Sequence, residues 1–320
     1  MKVLIPSSIV ITLPDDSRYD VVTYDPRSPI VDEHCDAEVL VVWGNTRSQL
    51  ADCAQRLGGL RWIAALSAGV DVIEAAGFAA GVVITNARGL HDGPVAEHTL
   101  MLVLAVVRRF DVMVLAQRDK RWARELGGVQ PVGIQRGQSG AVARLGTLRD
   151  ARVTVWGFGS IAQRLAPMLT ALGAEVTGVA RSAGVRGGYR VVSSADVVET
   201  LKDTDVLINV LPATAHTENV IDQAVLDVLP AHAWLINVGR GATVDEAALC
   251  AALHAGAIGG AALDVFAWEP LPESSPLWDA PNLMITPHAA GGRPEGVSEF
   301  LRENLVRYVE GRALQNVVPQ

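Results

Sequence analysis

The feature that most constrains this chain is an alternation that occurs twice: short apolar, β-branched runs separated by polar stretches of helical length. The first series lies at residues 3–5, 21–24, 39–43, 62–66 and 82–85, with gaps of about 14–20 residues. Such gaps suit βαβ crossovers, which place parallel strands in one sheet and helices on both of its faces. The second series lies at residues 153–156, 176–179, 206–210, 234–238, 260–263 and 283–286, with helical patterns at 161–172, 222–229 and 245–254. The fold class is therefore α/β, built as two doubly wound parallel-sheet lobes. A length of 320 residues, about twice that of a common domain, agrees with two lobes.

Between the series, Pro94 is placed to open a helix, and apolar periodicity over residues 95–115 reads as one helix of about five to six turns. A Gly- and Gln-rich stretch, residues 127–146, shows turn chemistry and little periodicity. A last amphipathic helix is expected over residues 297–310, closed by Gly311.

Composition excludes several partner classes. The net charge of −8, with basic residues scattered rather than clustered, disfavours a nucleic-acid or anionic-membrane surface. The longest apolar run, residues 100–107, is far short of the ~20 residues that cross a bilayer. Cys35, Cys53 and Cys250 have no ligand-like spacing, so neither a disulfide framework nor a metal site is expected, and a reducing cytoplasm suits them.

One loop carries chemistry by its context. Gly157-Phe158-Gly159-Ser160-Ile161-Ala162 is a G-x-G-x-x-A sequence directly after a strand and opening a helix. The first glycine permits a tight turn, the second lets backbone approach a pyrophosphate, and the small sixth residue lets helix and strand pack closely. The helix start offers N–H groups and a favourable dipole to the anion, which predicts a bound dinucleotide. An acidic residue for the adenosine ribose is expected about 20 positions on, near the end of the next strand. Ala180-Arg181-Ser182 stands there instead, with Glu175 at the strand's opposite end. A guanidinium followed by a hydroxyl suits a ribose 2′-phosphate, so NADP is expected over NAD.

Three later segments end strands: residues 237–241 with Arg240, 263–270 with Glu269, and 285–291 with His288. Ligands of open α/β sheets bind beyond the carboxyl ends of the strands, so Arg240, Glu269 and His288 are expected to converge.

These segments, with the glycine loop, resemble the D-isomer-specific 2-hydroxyacid dehydrogenase family, in which an Arg, a Glu and a His follow in this order. The resemblance extends to residues 67–73, which look like the family's substrate-carboxylate loop, and to residues 85–86 and 95–98 (Val-Ala-Glu-His), which look like its interdomain crossing. It implies a flavodoxin-like catalytic lobe, residues 1–93 plus 288–320, and a Rossmann NAD(P)-binding lobe, residues 94–287, with hinges near Pro94 and Pro287 and a homodimer as the assembly. It also implies a small-molecule 2-keto or 2-hydroxy acid as substrate.

Each residue then has a separable role. His288 would be the general acid that protonates the oxygen formed when hydride reaches the carbonyl carbon. Glu269 would orient the imidazole and favour its protonated form, and Arg240 would grip the substrate carboxylate. Backbone at Ala68 and Gly69 would take the other carboxylate oxygen, and Trp43 is either a substrate neighbour or a rim residue. Asp264 looks like the residue that meets the nicotinamide carboxamide, with backbone from Val238 and Gly291, and Gly239 is a further cofactor-binding residue. Leu211, Pro212 and Thr217 lie in a stretch similar to the family's cofactor-flanking L-P-x-T-x-x-T.

Glyoxylate or hydroxypyruvate reduction is the expected reaction. The alternatives are a phosphoglycerate dehydrogenase-like enzyme, disfavoured because no regulatory domain follows residue 320, and a dinucleotide-sensing, corepressor-like binding protein.

Overall fold

Five strands, β1 (Lys2–Pro6), β2 (Asp20–Tyr24), β3 (Val39–Val42), β4 (Trp62–Ala65) and β5 (Val83–Thr85), form one all-parallel sheet in the order β2-β1-β3-β4-β5. This computed structural model describes residues 1–126 and 146–319; the Gly- and Gln-rich stretch, Gly146 apart, lies outside the described residues. Alternate residues of these strands feed two cores. Leu4, Leu40, Val42, Ile63 and Ala65 pack with Leu50 and Cys53 of helix α1 (Arg47–Arg56), while Val3, Ile5, Val39, Val41 and Trp62 pack on the other face. Burial on both faces of β1, β3 and β4 explains why these three read as continuous apolar runs. A short helix, α2 (Asp71–Glu74), follows β4. The 2-1-3-4-5 order is the flavodoxin-like one.

The chain divides by its internal contacts into one unit of residues 1–92 with 293–320 and a second of residues 93–292. The later boundary falls five residues beyond the expected 287/288, so His288 belongs to the second unit. The reason is local: the N–H groups of His288, Ala289 and Ala290 all donate to Asp264, which follows a strand of that unit.

The helix expected over residues 95–115 is two helices. Helix α3 (Asp92–Val107) starts two residues before Pro94, and α4 (Phe110–Arg118) follows a break at Arg109, whose φ of 53° is left-handed. Arg109 binds Asp111 and Asn282 and lies 5.6 Å over the Trp234 ring, contacts that turn the chain there.

The second sheet has eight strands, β6 (Arg152–Trp156), β7 (Glu175–Ala180), β8 (Gly184–Arg186), β9 (Tyr189–Ser193), β10 (Val206–Asn209), β11 (Trp234–Asn237), β12 (Gly260–Leu263) and β13 (Leu283–Ile285), ordered β13-β12-β11-β10-β6-β7-β9-β8. All pairings are parallel except β8 with β9. Helices α3 and α5 (Ser160–Ala171) cover one face; α6 (Val197–Leu201), α7 (Gln223–Val228) and α8 (Glu246–Ala255) cover the other. The order reverses between β6 and β10, which defines a Rossmann switch point beside the glycine loop. The β8–β9 hairpin was not expected from the sequence. The chain ends in the first unit with α9 (Val297–Val309), whose Val297, Leu301 and Leu305 close the second core of that sheet.

Candidate active site

The glycine loop fits a dinucleotide. Gly157, at φ 101°, passes so close to the next crossover that a Cβ would lie 2.8 Å from the Val210 carbonyl, and the space over Gly159 is open. No side chain caps α5, so its first N–H groups face the loop, and Ser160 is exposed beside them while Ile161 is half-buried. The Phe158 ring is buried under Gly178 and near Tyr189, which leaves its backbone at the loop.

Arg181 and Ser182 are exposed just past the end of β7, and Glu175 is at the far end of that strand. Sequence reasoning missed a second cation there. Arg186, delivered by the hairpin, donates to the Phe158 carbonyl at 3.3 Å and to the Ser182 hydroxyl at 3.0 Å. Its signal was Gly187-Gly188 between two short runs, a hairpin pattern.

Two buried asparagines shape the next loops. Asn209 and Asn237 are register partners at the ends of β10 and β11, and the Asn209 amide donates to the Asn237 and Thr243 side chains. Their oxygens accept from the N–H groups of Leu211 and Gly239. The Val238 N–H is spent in the sheet, on Asn209. The exposed Pro212 accepts from Thr217, whose hydroxyl closes the turn of its own loop and makes no outward contact.

Arg240 follows in extended conformation (φ −140°), half-buried, with one guanidinium nitrogen donating to the Gly239 carbonyl at 2.8 Å. Gly241 must be glycine, because a Cβ would fall 1.8 Å from the Phe266 carbonyl carbon. That approach locks the Arg240 loop against the loop of Glu269. The latter is fixed further by the N–H of Ala267 donating to Glu246 and that of Phe266 donating to Glu269 Oε1.

The His288 ring donates from Nδ1 to Glu269 Oε2 at 2.6 Å. A carboxylate only accepts, so Nδ1 carries the proton and Nε2 is the nitrogen that can pass one on. Burial raises the Glu269 pKa, but the bonds from His288 and the Phe266 N–H, with the Arg240 charge, hold it below the usual range. His288 itself is 46% exposed, and its φ of 52° is left-handed.

The Asp264 side chain is 0% exposed; its carboxylate accepts from Thr286 and the N–H groups of Ala289 and Ala290, and His98 Nε2 lies 3.3 Å from its Oδ1. Gly291 follows in the same turn.

In the first unit, the Ser67 carbonyl accepts from the Ala87 N–H, that of Ala68 from Asn86, and that of Gly69 from the Ser67 hydroxyl. Trp43 stacks on His91, ring centroids 5.6 Å apart, and is half-buried.

The second unit is thus a dinucleotide-binding α/β unit that carries an arginine and a carboxylate-oriented histidine at its strand ends. Residues 100–290, more than half of the chain, match the family model for the D-isomer specific 2-hydroxyacid dehydrogenase NAD binding domain, and the chain belongs to that family. It is 37% identical over 174 residues to glyoxylate/hydroxypyruvate reductase A of Salmonella paratyphi B, covering 54% of this chain and 56% of that one. The match thus spans about half the length of the curated relatives.

Similar solved structures cover nearly the whole chain. One is a D-isomer specific 2-hydroxyacid dehydrogenase of Xanthobacter autotrophicus Py2 in complex with NADPH and MES (TM-score 0.76, 29% identity, 99% of this chain and 98% of that one). Another is an NADPH-dependent glyoxylate/hydroxypyruvate reductase of Sinorhizobium meliloti in complex with NADP and sulfate (TM-score 0.78, 25% identity, 99% and 97%).

Proposed function

We propose that this chain is an NADP(H)-dependent oxidoreductase that reduces a small 2-keto acid, of the glyoxylate or hydroxypyruvate kind, to the D-2-hydroxy acid. The observation that carries the reading is the 2.6 Å bond from His288 Nδ1 to Glu269, with Arg240 on the neighbouring loop. The nicotinamide supplies the hydride. His288 delivers a proton from Nε2 to the carbonyl oxygen, and Glu269 orients the ring and compensates its charge. Arg240, permanently cationic, holds the substrate carboxylate and polarises the carbonyl beside it. In the first unit, Ala68, Gly69 and Trp43 are the proposed substrate contacts.

The cofactor reading rests on Arg181, Ser182 and Arg186 where an acidic residue would serve NAD, and the relatives solved with NADP or NADPH support it. A homodimer is proposed because Met101, Leu104, Phe110 and Val114 leave apolar side chains exposed on α3 and α4. No described helix is long and apolar enough to cross a membrane. A cytoplasmic enzyme is proposed.

The test is absorbance at 340 nm with NADPH or NADH against glyoxylate, hydroxypyruvate, pyruvate and phenylpyruvate. NADPH oxidation that His288→Asn lowers by about 10²–10⁴-fold is the expected result. Saturable dinucleotide binding with no turnover of any keto acid would overturn the reading and favour a dinucleotide-sensing role.

A further inference from the structure

His98 belongs to a segment that the reaction so far leaves without a role. It sits in the second turn of α3, largely buried, with Nε2 3.3 Å from Asp264 Oδ1 and 3.2 Å from the Thr286 hydroxyl. The Thr286 hydroxyl already donates its hydrogen to Asp264 Oδ1, at 2.6 Å. Both atoms facing Nε2 are therefore acceptors, and Nε2 must carry a hydrogen shared between them.

Asp264 is the hub. Its Oδ1 and Oδ2 accept from the N–H groups of Ala289 and Ala290 at 2.8 Å each, and its backbone carbonyl accepts the His288 N–H, also at 2.8 Å. Three successive N–H groups thus end on one residue, across a turn whose first member has left-handed backbone. A non-glycine residue holds that conformation only where its surroundings over-determine it. A buried carboxylate in turn is stable only when fully hydrogen-bonded or paired with a cation, and His98 is the basic side chain set beside it among the described residues.

We propose that His98 is a positioning residue for His288: its Nε2–H fixes the orientation of Asp264 and Thr286, and Asp264 fixes the backbone that presents the His288 ring. This rests on His288 being the proton donor. His98 acts through Asp264 and Thr286, so its loss should lower kcat and leave KM for substrate and cofactor almost unchanged.

Three variants test it. His98→Leu removes the donor, His98→Gln returns an N–H near the Nε2 position, and Thr286→Val removes the shared hydroxyl with little change of volume. Each is compared with wild type by steady-state kinetics with NADPH and the best keto acid, and by hydrogen exchange of the peptide containing Ala289 and Ala290 in protein without cofactor. The expected result is a fall in kcat of about tenfold for His98→Leu and Thr286→Val, KM values within about twofold, and faster exchange at 289–290. His98→Gln should recover most of both losses.

The proposal is overturned by wild-type kcat and protection in His98→Leu, by lost kcat with unchanged protection, by an effect confined to KM, or by a Gln variant no better than Leu. If His98→Leu does not fold, Thr286→Val and His98→Gln decide. Wild type inactive on every keto acid would sink the enzymatic reading instead, while the exchange rates would still decide whether His98 braces the turn.

Discussion

His288 Nδ1 stands 2.6 Å from Glu269 Oε2, and the carboxylate is held below the usual glutamate range even though burial alone would raise it. A group whose pKa is lower folded than unfolded stabilises the fold above its unfolded pKa, and loses that contribution as pH falls through the folded value. The stability advantage of wild type over Glu269→Gln should therefore be complete near neutrality and shrink below about pH 4.5. Thermal unfolding of both proteins from pH 7 to pH 3 measures it. A difference that does not change over this range would mean that the carboxylate is not held by these partners.

The proposed reaction sets the sign of the catalytic pH dependence. Reduction takes up a proton and oxidation releases one, so kcat for reduction should decline toward alkaline pH and kcat for oxidation toward acid. Removing Glu269 takes away the acceptor that compensates a protonated ring. Glu269→Gln should thus lower kcat for reduction while leaving dinucleotide binding nearly unchanged. Profiles that run parallel in the two directions would remove His288 from the proton transfer.

The proposed preference for NADP(H) is carried by the end of β7. Arg181 and Arg186 are two cations on either side of Ser182, and the Arg186 guanidinium is aimed by its bonds to Ser182 and Phe158. A charge-assisted hydrogen bond is worth about 1.5–3 kcal/mol, or about 10–150-fold in an equilibrium constant. Each Arg→Ala variant should raise KM for NADPH by at least about tenfold with KM for NADH nearly unchanged, and the double variant should lose the preference. Equal losses with both cofactors would assign these arginines to general folding of the loop.

Much of this architecture was legible because seven of the strands, β1, β3, β4, β6, β10, β11 and β12, are apolar runs buried on both faces, and because the glycine loop and residues Arg240, Glu269 and His288 each sit where a strand ends. What was not legible depended on contacts between distant segments. Arg109 breaks the expected long helix through partners at Asp111 and Asn282, and nothing in the local apolar period marks that break. Asn209 and Asn237 look like ordinary loop-entry residues until strand register pairs them. Residues 98, 264 and 286 meet only after α3 has crossed the sheet, so the inward turn of the Asp264 carboxylate toward His98 has no mark in the local pattern.

Cys53 offers a test of packing independent of function. It is fully buried in the first unit, beside Gln49, and burial, the largest influence, pushes its thiol up to about 12. The thiolate is the reacting species, so Cys53 should resist a water-soluble disulfide reagent while the partly exposed Cys35 and Cys250 react. Ellman titration with mass-spectrometric mapping should find Cys53 unmodified until denaturant is added. Labelling of all three at one rate would place Cys53 outside a packed core.

The proposed homodimer would bury the exposed apolar residues of α3 and α4 against a second copy of this chain. Met101, Leu104, Phe110 and Val114 are each more than a third exposed, and side chains of this kind, clustered on a helix pair, commonly mark an interface. A two-fold pairing is isologous, so one substituted patch is introduced on both sides at once and like charges face each other across the axis. Leu104→Glu combined with Phe110→Glu should convert a particle of about twice 33.9 kDa into a monomer by light scattering, with unchanged circular dichroism. Wild type already monomeric at micromolar concentration would show that no second copy covers this face.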